Sequence, residues 1–156
     1  MLRKPNSARF CAASGLADLR DVRIFLDASV LFSAAKSDGL MHRLLDLLLV
    51  NHHALCANAY VIEEARRNLA AKAPSRLPAL FAVIARMEVA QWQAHPSTLA
   101  ELSTLPEKDR PVLAAAIRLR CDALVTGDRA HFGRLYGQTV AGVAIHSPRS
   151  LAEMLL

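Results

Sequence analysis

The sequence has few cysteines, few aromatic residues and no long apolar run. Its three cysteines, Cys11, Cys56 and Cys121, are too few and too scattered for a disulfide framework or a CxxC zinc site, which fits the reducing cytoplasm. No apolar stretch approaches the roughly 20 residues of a membrane span, so we expect no membrane partner. Aromatic residues make up 5% of the chain and apolar residues 53%, so the predicted core consists mainly of Leu, Ala and Val.

Lysine is also scarce, and arginine supplies most of the positive charge. The formal net charge is +5, and the lysines are Lys4, Lys36, Lys72 and Lys108. Because the guanidinium group pairs well with phosphate oxygens, an arginine-rich surface suits a phosphate-bearing partner. A basic protein without such a partner is the alternative, since charge alone does not identify a ligand.

The length of 156 residues predicts a single domain. The first twenty residues contain Arg3, Lys4 and Arg9 and only a weak patch of small residues, which is a poor match to a secretory signal. We therefore expect a poorly ordered N-terminal extension over residues 1–21 and one domain over residues 22–156.

Short apolar strands alternate with amphipathic helices throughout this domain. The apolar runs predict strands at residues 22–26, 53–57, 87–91, 123–126 and 140–145. Helices are predicted at residues 31–36, 40–50, 59–71, 75–86, 110–120, 129–136 and 147–154. This alternation predicts an α/β fold, with a parallel sheet of about four to five strands and helices on both faces.

Four carboxylates occupy positions that solvation at the surface does not explain well. Asp27 and Asp128 each end an apolar strand, and Asp109 begins the helix that leads into the second of these strands. Strand carboxyl ends and helix starts share one edge of a right-handed parallel sheet, so we expect these three groups to converge. Glu64 flanks the apolar stripe of its helix, whereas Glu63 points further outwards.

Such a cluster of carboxylates predicts a divalent metal ion. Several like charges within a few ångströms repel, and some would stay protonated without a counter-charge. Mg²⁺ and Mn²⁺ prefer oxygen ligands, and they can activate water for phosphodiester cleavage. A histidine site is rejected, because His52 and His53 would face opposite ways in a strand.

Each of these residues also has a structural explanation. Asp109 could be only a helix N-cap, and Asp128 could only begin the turn after its strand. Glu63 and Glu64 could both be solvated helix charges, which is the preferred explanation for Glu63. His131 is best explained as a surface or packing residue. Thr126 could orient a carboxylate, although a β-branched residue in a buried strand needs no such role.

Four segments, in this order, resemble the PIN domain family. They are residues 27–31 (Asp-Ala-Ser-Val-Leu), 61–69 (Val-Ile-Glu-Glu-Ala-Arg-Arg-Asn-Leu), 108–117 (Lys-Asp-Arg-Pro-Val-Leu-Ala-Ala-Ala-Ile) and 122–128 (Asp-Ala-Leu-Val-Thr-Gly-Asp) with His131 and Phe132. The resemblance extends from residue 22 to the C-terminus. It places the family's four acids on Asp27, Glu64, Asp109 and Asp128. It also makes Ser29 a candidate supporting residue, because members often have Asn, Ser or Thr near the first acid.

The resemblance implies a three-layer α/β/α sandwich with Mg²⁺ or Mn²⁺ in an acidic pocket. It implies a ribonuclease that cleaves single-stranded RNA, commonly a homodimer, and in many bacteria a toxin neutralised by a small antitoxin protein. Two other classes remain. A phosphatase or receiver-like domain would use Asp27 as its nucleophile, but such sites add a strand-end lysine that this chain lacks. A non-catalytic RNA- or protein-binding module would leave the acidic cluster unused.

Overall fold

The computed structural model describes residues 21–90 and 110–156, which are organised around a six-stranded sheet. In spatial order the strands are β3, β2, β1, β4, β6 and β5. Their bounds are β1 Arg23–Leu26, β2 Ala54–Asn58, β3 Glu88–Ala90, β4 Ala123–Val125, β5 Thr139–Val140 and β6 Val143–His146. All neighbouring strands are parallel except β5 and β6, so the sheet is mixed and one strand larger than the predicted maximum.

Helices occupy both faces of this sheet. Their bounds are α1 Ala28–Lys36, α2 Leu40–Val50, α3 Ala59–Lys72, α4 Leu77–Ile84, α5 Arg110–Arg118, α6 Arg129–Phe132 and α7 Pro148–Leu155. The β1–β2–β3 connections, which contain α1 to α4, run in one direction across the sheet, and the connection through α5 to β4 returns in the other. Right-handed crossovers therefore place α1 to α4 and α5 on opposite faces. The predicted three-layer α/β/α arrangement is confirmed.

The core is centred on β1 and β4, the two middle strands. Ile24, Phe25 and Leu26 are fully buried, and so is all of β4. A central parallel strand is covered on both faces, which explains why these segments are uninterrupted apolar runs. None of the described helices is long and apolar enough to cross a membrane.

The first helix begins earlier than the sequence predicts. The prediction starts it at residue 31, whereas α1 starts at Ala28, directly after Asp27. Asp27 has extended backbone angles (φ −70°, ψ 161°), and its carboxylate accepts a hydrogen bond from the Ala28 amide, as an N-cap does. The strand thus passes into the helix without a loop, because the acid at the strand end also caps the helix.

The predicted strand over residues 140–145 is wrong, because these residues form a hairpin. Ala141 and Gly142 have positive φ angles of 49° and 88° and form a two-residue turn between β5 and β6. Val140 pairs with Val143 across this turn. Positive φ at both central positions is typical of a type I′ turn, where Asn-Gly is the usual sequence, so alanine at the first position concealed the turn.

We expect Ala141→Asn to stabilise the protein by about 0.5–1 kcal/mol, because asparagine adopts the left-handed conformation at lower cost than alanine. Gly142→Ala is the matched control. It should destabilise by about 1 kcal/mol, because φ of 88° strains any residue with a Cβ. Urea unfolding followed by circular dichroism measures both effects. Identical stabilities for wild type and both variants would contradict this turn geometry.

Candidate metal centre at the carboxyl edge of the sheet

Asp27 lies at the carboxyl end of β1 with its side chain almost completely buried. Its backbone N–H donates to the Val125 carbonyl oxygen at 3.0 Å, which extends the pairing of β1 with β4 by one residue. The carboxylate is turned back onto the chain, where Oδ1 accepts from the Ala28 amide at 2.8 Å. Only 6% of the residue is exposed, so the carboxylate depends on protein partners in place of water.

Thr126 connects Asp27 to the loop that carries Asp128. Its Oγ1 donates to Asp27 Oδ2 at 2.7 Å and accepts from the Asp128 backbone N–H at 3.0 Å. The residue is fully buried. Thr126, whose role the sequence leaves ambiguous, therefore uses its hydroxyl to bind both the Asp27 carboxylate and the Asp128 backbone N–H. A valine of the same shape has no hydroxyl and could make neither contact.

Ser29 provides a second, longer link between the same two chain segments. Its Oγ donates to Asp27 Oδ2 at 3.4 Å and accepts from the Gly127 N–H at 3.1 Å. Both hydroxyl residues proposed from the sequence as supporting residues are thus in contact with Asp27.

Asp128 begins the short helix α6 and is paired with a histidine. Its Oδ1 accepts from the His131 backbone N–H at 3.2 Å, and its Oδ2 lies 2.8 Å from His131 Nδ1. The structural explanation of Asp128 as a local capping residue is therefore correct, but it is incomplete, because the side chain also lies close enough to Asp27 to affect its pKa. His131 was expected to be only a surface or packing residue. Its spacing of three residues from Asp128 was the available signal for this contact.

Tyr136 is a site residue that the sequence analysis did not identify. Its Oη donates to the Thr126 carbonyl oxygen at 2.7 Å. Burial is the largest effect and raises the pKa of Tyr136; the charge of Arg129 lowers this pKa, and the charges of Asp128 and Asp27 raise it. The hydroxyl therefore keeps its proton at neutral pH. The ten residues between the partners include α6 and a 3-10 helix at Gly133–Leu135, and no periodic pattern in them could have predicted the contact.

The electrostatics of Asp27 favour a bound cation. Burial is the largest effect and raises the pKa of Asp27, and the charge of Asp128 raises it further. The hydrogen bonds from Thr126, the Ala28 amide and Ser29 lower this pKa and only partly offset the burial. A positive charge placed between the two carboxylates would remove their repulsion.

The structure describes one of the two remaining predicted acids. Glu64 is half-buried on α3, which packs against α1. Its neighbour Glu63 pairs with Arg66 in solvent, with Oε2 2.9 Å from Nε, as expected for a surface charge. Asp109 lies outside the described residues. Within residues 21–90 and 110–156, no three or more His, Cys, Asp or Glu side chains are grouped closely enough to hold a metal ion.

The candidate metal ligands at and around Asp27 nevertheless suit a hard cation. They are two carboxylates and two hydroxyls, all oxygen ligands of the kind that Mg²⁺ and Mn²⁺ prefer over the nitrogen and sulfur ligands of zinc. The alternative histidines do not contribute. His52 is exposed, and His53 is engaged through Nδ1, which accepts from the Val22 amide at 3.2 Å.

Comparison with known proteins identifies the family of the chain. The family model described as PIN domain matches residues 23–130, which is more than half of the chain. The chain belongs to the PIN domain family. PIN domains are nucleases as a family, so the acids at the carboxyl edge lie in a nuclease fold.

Solved PIN-type structures resemble this domain in fold and differ strongly in sequence. A chain of VapBC2 from Rickettsia felis, crystallised with a DNA fragment from its promoter, has a TM-score of 0.63 at 17% identity, over 81% of this chain and 98% of its own. Mycobacterium tuberculosis VapC20, a sarcin–ricin loop cleaving toxin, has a TM-score of 0.49 at 14% identity, over 69% and 92%. No protein of curated function matches the sequence.

The raised pKa of Asp27 predicts how stability depends on pH in EDTA. Below the ordinary value near 3.8 the carboxyl is neutral in both states. As pH rises, the unfolded chain ionises first. The wild type therefore loses stability between this ordinary value and the higher folded pKa, by about 1.4 kcal/mol for each pH unit that separates the two. Asp27→Asn should not show this loss, so its stability relative to wild type should increase over this range and then level off.

Urea unfolding from pH 3.5 to pH 8 measures the difference between the two proteins. Asp38→Asn is the control, because the Arg76 guanidinium 2.8 Å away lowers the pKa of the exposed Asp38 carboxyl, the opposite direction to Asp27. The stability of Asp38→Asn relative to wild type should not rise over this range. Parallel curves for wild type and Asp27→Asn would show that the folded protein does not perturb Asp27.

Proposed function

We propose that this PIN domain is a metal-dependent endoribonuclease that hydrolyses phosphodiester bonds of single-stranded RNA. The observation that carries the proposal is the carboxylate of Asp27. It is buried, accepts hydrogen bonds from the hydroxyls of Thr126 and Ser29, and lies close enough to Asp128 for the charge of Asp128 to raise its pKa. Membership of the PIN family supports nuclease chemistry. The candidate metal ligands around Asp27 are all oxygen atoms, which supports Mg²⁺ or Mn²⁺ as the cofactor.

Asp27 and Asp128 are the metal ligands that the described residues support directly, with Glu64 and Asp109 as the further catalytic acids. When bound, the ion would activate water and neutralise negative charge at the phosphate. Thr126 and Ser29 hold Asp27 in one orientation. With the Ala28 amide they use three of the roughly four lone-pair sites of the carboxylate, which leaves one for the ion. His131 and the first turn of α6 orient Asp128. These contacts preorganise the acids before RNA arrives.

Arginines near the site suit the phosphates of the substrate. Arg129 directly follows Asp128 as the first residue of α6, and Arg134 lies in the short 3-10 helix after α6; both are exposed. Arginine contacts to phosphate do not distinguish sequences, so these side chains would provide affinity and leave the choice of cleavage site to other contacts.

The proposal extends to the partners of the protein. The VapBC2 structure from Rickettsia felis was solved with a DNA fragment from its promoter, and its chain shares this fold. By analogy, we infer a toxin of the cytoplasm that is inhibited by a small antitoxin protein, and a homodimer as its own assembly. These partners are inferred from the fold, whereas the proposal for Asp27 and Asp128 is supported by their own contacts.

The first test is cleavage of mixed single-stranded RNA with Mn²⁺, with Mg²⁺ and with EDTA. We expect cleavage with metal only, and a loss of about 10²-fold or more in Asp27→Asn, because the variant removes a charged ligand. Neighbouring acids on one helix supply a matched pair: Glu64→Gln should reduce cleavage strongly, and Glu63→Gln should not.

Equal losses in Glu63→Gln and Glu64→Gln would contradict the assignment of Glu64. Wild-type activity in Asp27→Asn would contradict the whole site. If RNA binds without being cut under any condition, and calorimetry detects no Mn²⁺ binding, the protein is the non-catalytic binding module.

The toxin assignment has a separate test in growing cells. Induction of the wild type should arrest growth, whereas Asp27→Asn should not. Co-expression of a small protein encoded beside this gene should restore growth and yield a stable complex on purification. Normal growth on induction of a protein that cleaves RNA in vitro would separate nuclease activity from a toxin role.

A further inference from the structure

The peptide group that joins Thr126 to Gly127 is held at both of its polar ends. Its carbonyl oxygen accepts from Tyr136 Oη at 2.7 Å, and its N–H donates to Ser29 Oγ at 3.1 Å. Tyr136 comes from the segment after α6, and Ser29 from the first turn of α1. Two separate elements therefore fix the orientation of one peptide plane.

This peptide plane lies between the two acids of the proposed metal site. On one side, Thr126 Oγ1 contacts Asp27 Oδ2, and Ser29 Oγ contacts the same oxygen. On the other side, the Asp128 N–H donates to Thr126 Oγ1. A rotation of the plane would therefore move Asp128 relative to Asp27, and the distance between the acids determines whether both can bind one ion.

The sequence makes this plane easy to rotate when its ends are not held. Gly127 has no side chain, so its backbone has more accessible conformations than that of any other residue. Its conformation is nevertheless one that alanine can adopt, since its φ is not in the left-handed region. A Cβ placed there would lie 3.6 Å from Ser29 Oγ, an ordinary contact.

We propose that Tyr136 is a positioning residue which, with Ser29, clamps the peptide plane between Thr126 and Gly127 and thereby sets the spacing of Asp27 and Asp128. The role of this spacing in metal binding rests on the proposed function; the clamp itself does not. The hydroxyl of Tyr136 donates to the Thr126 carbonyl oxygen, so its effect on the two acids passes through Thr126.

Amide hydrogen exchange of the metal-free protein tests the clamp. In Tyr136→Phe, the amides of Gly127 and Asp128 should exchange about five- to tenfold faster, the effect of one lost hydrogen bond. Amides in the centre of β1 should keep their wild-type rates. Tyr60→Phe is the matched control, because Tyr60 lies on α3 outside this loop, and it should leave both amides unchanged.

A rescue variant separates positioning from general stabilisation. Adding Gly127→Ala to Tyr136→Phe should restore slow exchange at Asp128, because the alanine restricts the same peptide plane by another route. A tyrosine that only stabilised the fold would accelerate exchange in β1 as well, and alanine at position 127 would not restore the local rates. Unchanged exchange at Gly127 and Asp128 in Tyr136→Phe would overturn the clamp.

Calorimetric titration with Mn²⁺ tests the consequence for the site. We expect Tyr136→Phe to weaken Mn²⁺ binding about five- to tenfold and the double variant to recover most of the loss. Equal Mn²⁺ affinity in wild type and Tyr136→Phe would overturn the link between clamp and metal. Absence of Mn²⁺ binding in the wild type would instead refute the proposed function, and the exchange experiment would still decide the clamp.

Discussion

The burial of the Asp27 carboxylate is the constraint on which the rest of the site depends. A carboxylate removed from water must be compensated by hydrogen bonds or by a counter-charge. The chain supplies three donors from two segments, and it places the group at the N-terminus of α1, where the helix dipole favours negative charge. The Asp27 carboxylate must accept these hydrogen bonds. This requirement constrains where β1 ends, where α1 begins and how the loop after β4 runs.

Structural roles do not account for the charges at this edge. An N-cap needs only a side-chain oxygen, and serine or asparagine would cap α1 and α6 as well as aspartate does. Asp27 instead combines burial with a like charge on Asp128, and both of these raise its pKa. Two ionised caps in this arrangement are less favourable than neutral ones. The proposed cation would compensate this excess negative charge.

The elements that the sequence predicted well are those set by contiguous apolar patterns. The runs ending at Leu26 and Val125 became neighbouring strands, and Asp27 and Thr126 follow them directly. The angular position of each residue around its helix distinguished Glu63, which pairs with Arg66 in solvent, from the half-buried Glu64. The catalytic role of Glu64 stays a prediction. Other features depend on conformation that no periodic pattern encodes. The turn at residues 141–142 has an unusual first residue, and the contact from Tyr136 joins the end of the helical segment after β4 to the residue that follows this strand, so both are visible only in three dimensions.

The topology of the sheet explains why the acids meet where they do. From β1 the chain moves to β2 and β3 on one side, and it later returns to β4 on the other side of β1. The carboxyl ends of β1 and β4 therefore flank a topological switch point, where connections leave in opposite directions and a crevice remains. Asp27 stands on one side of this crevice and Thr126 on the other, 99 residues apart in sequence yet joined by a 2.7 Å hydrogen bond. Helix α3, which carries Glu64, begins at this same edge, directly after β2. The site is thus a consequence of strand order, and the side chains at the two strand ends give it a negative charge.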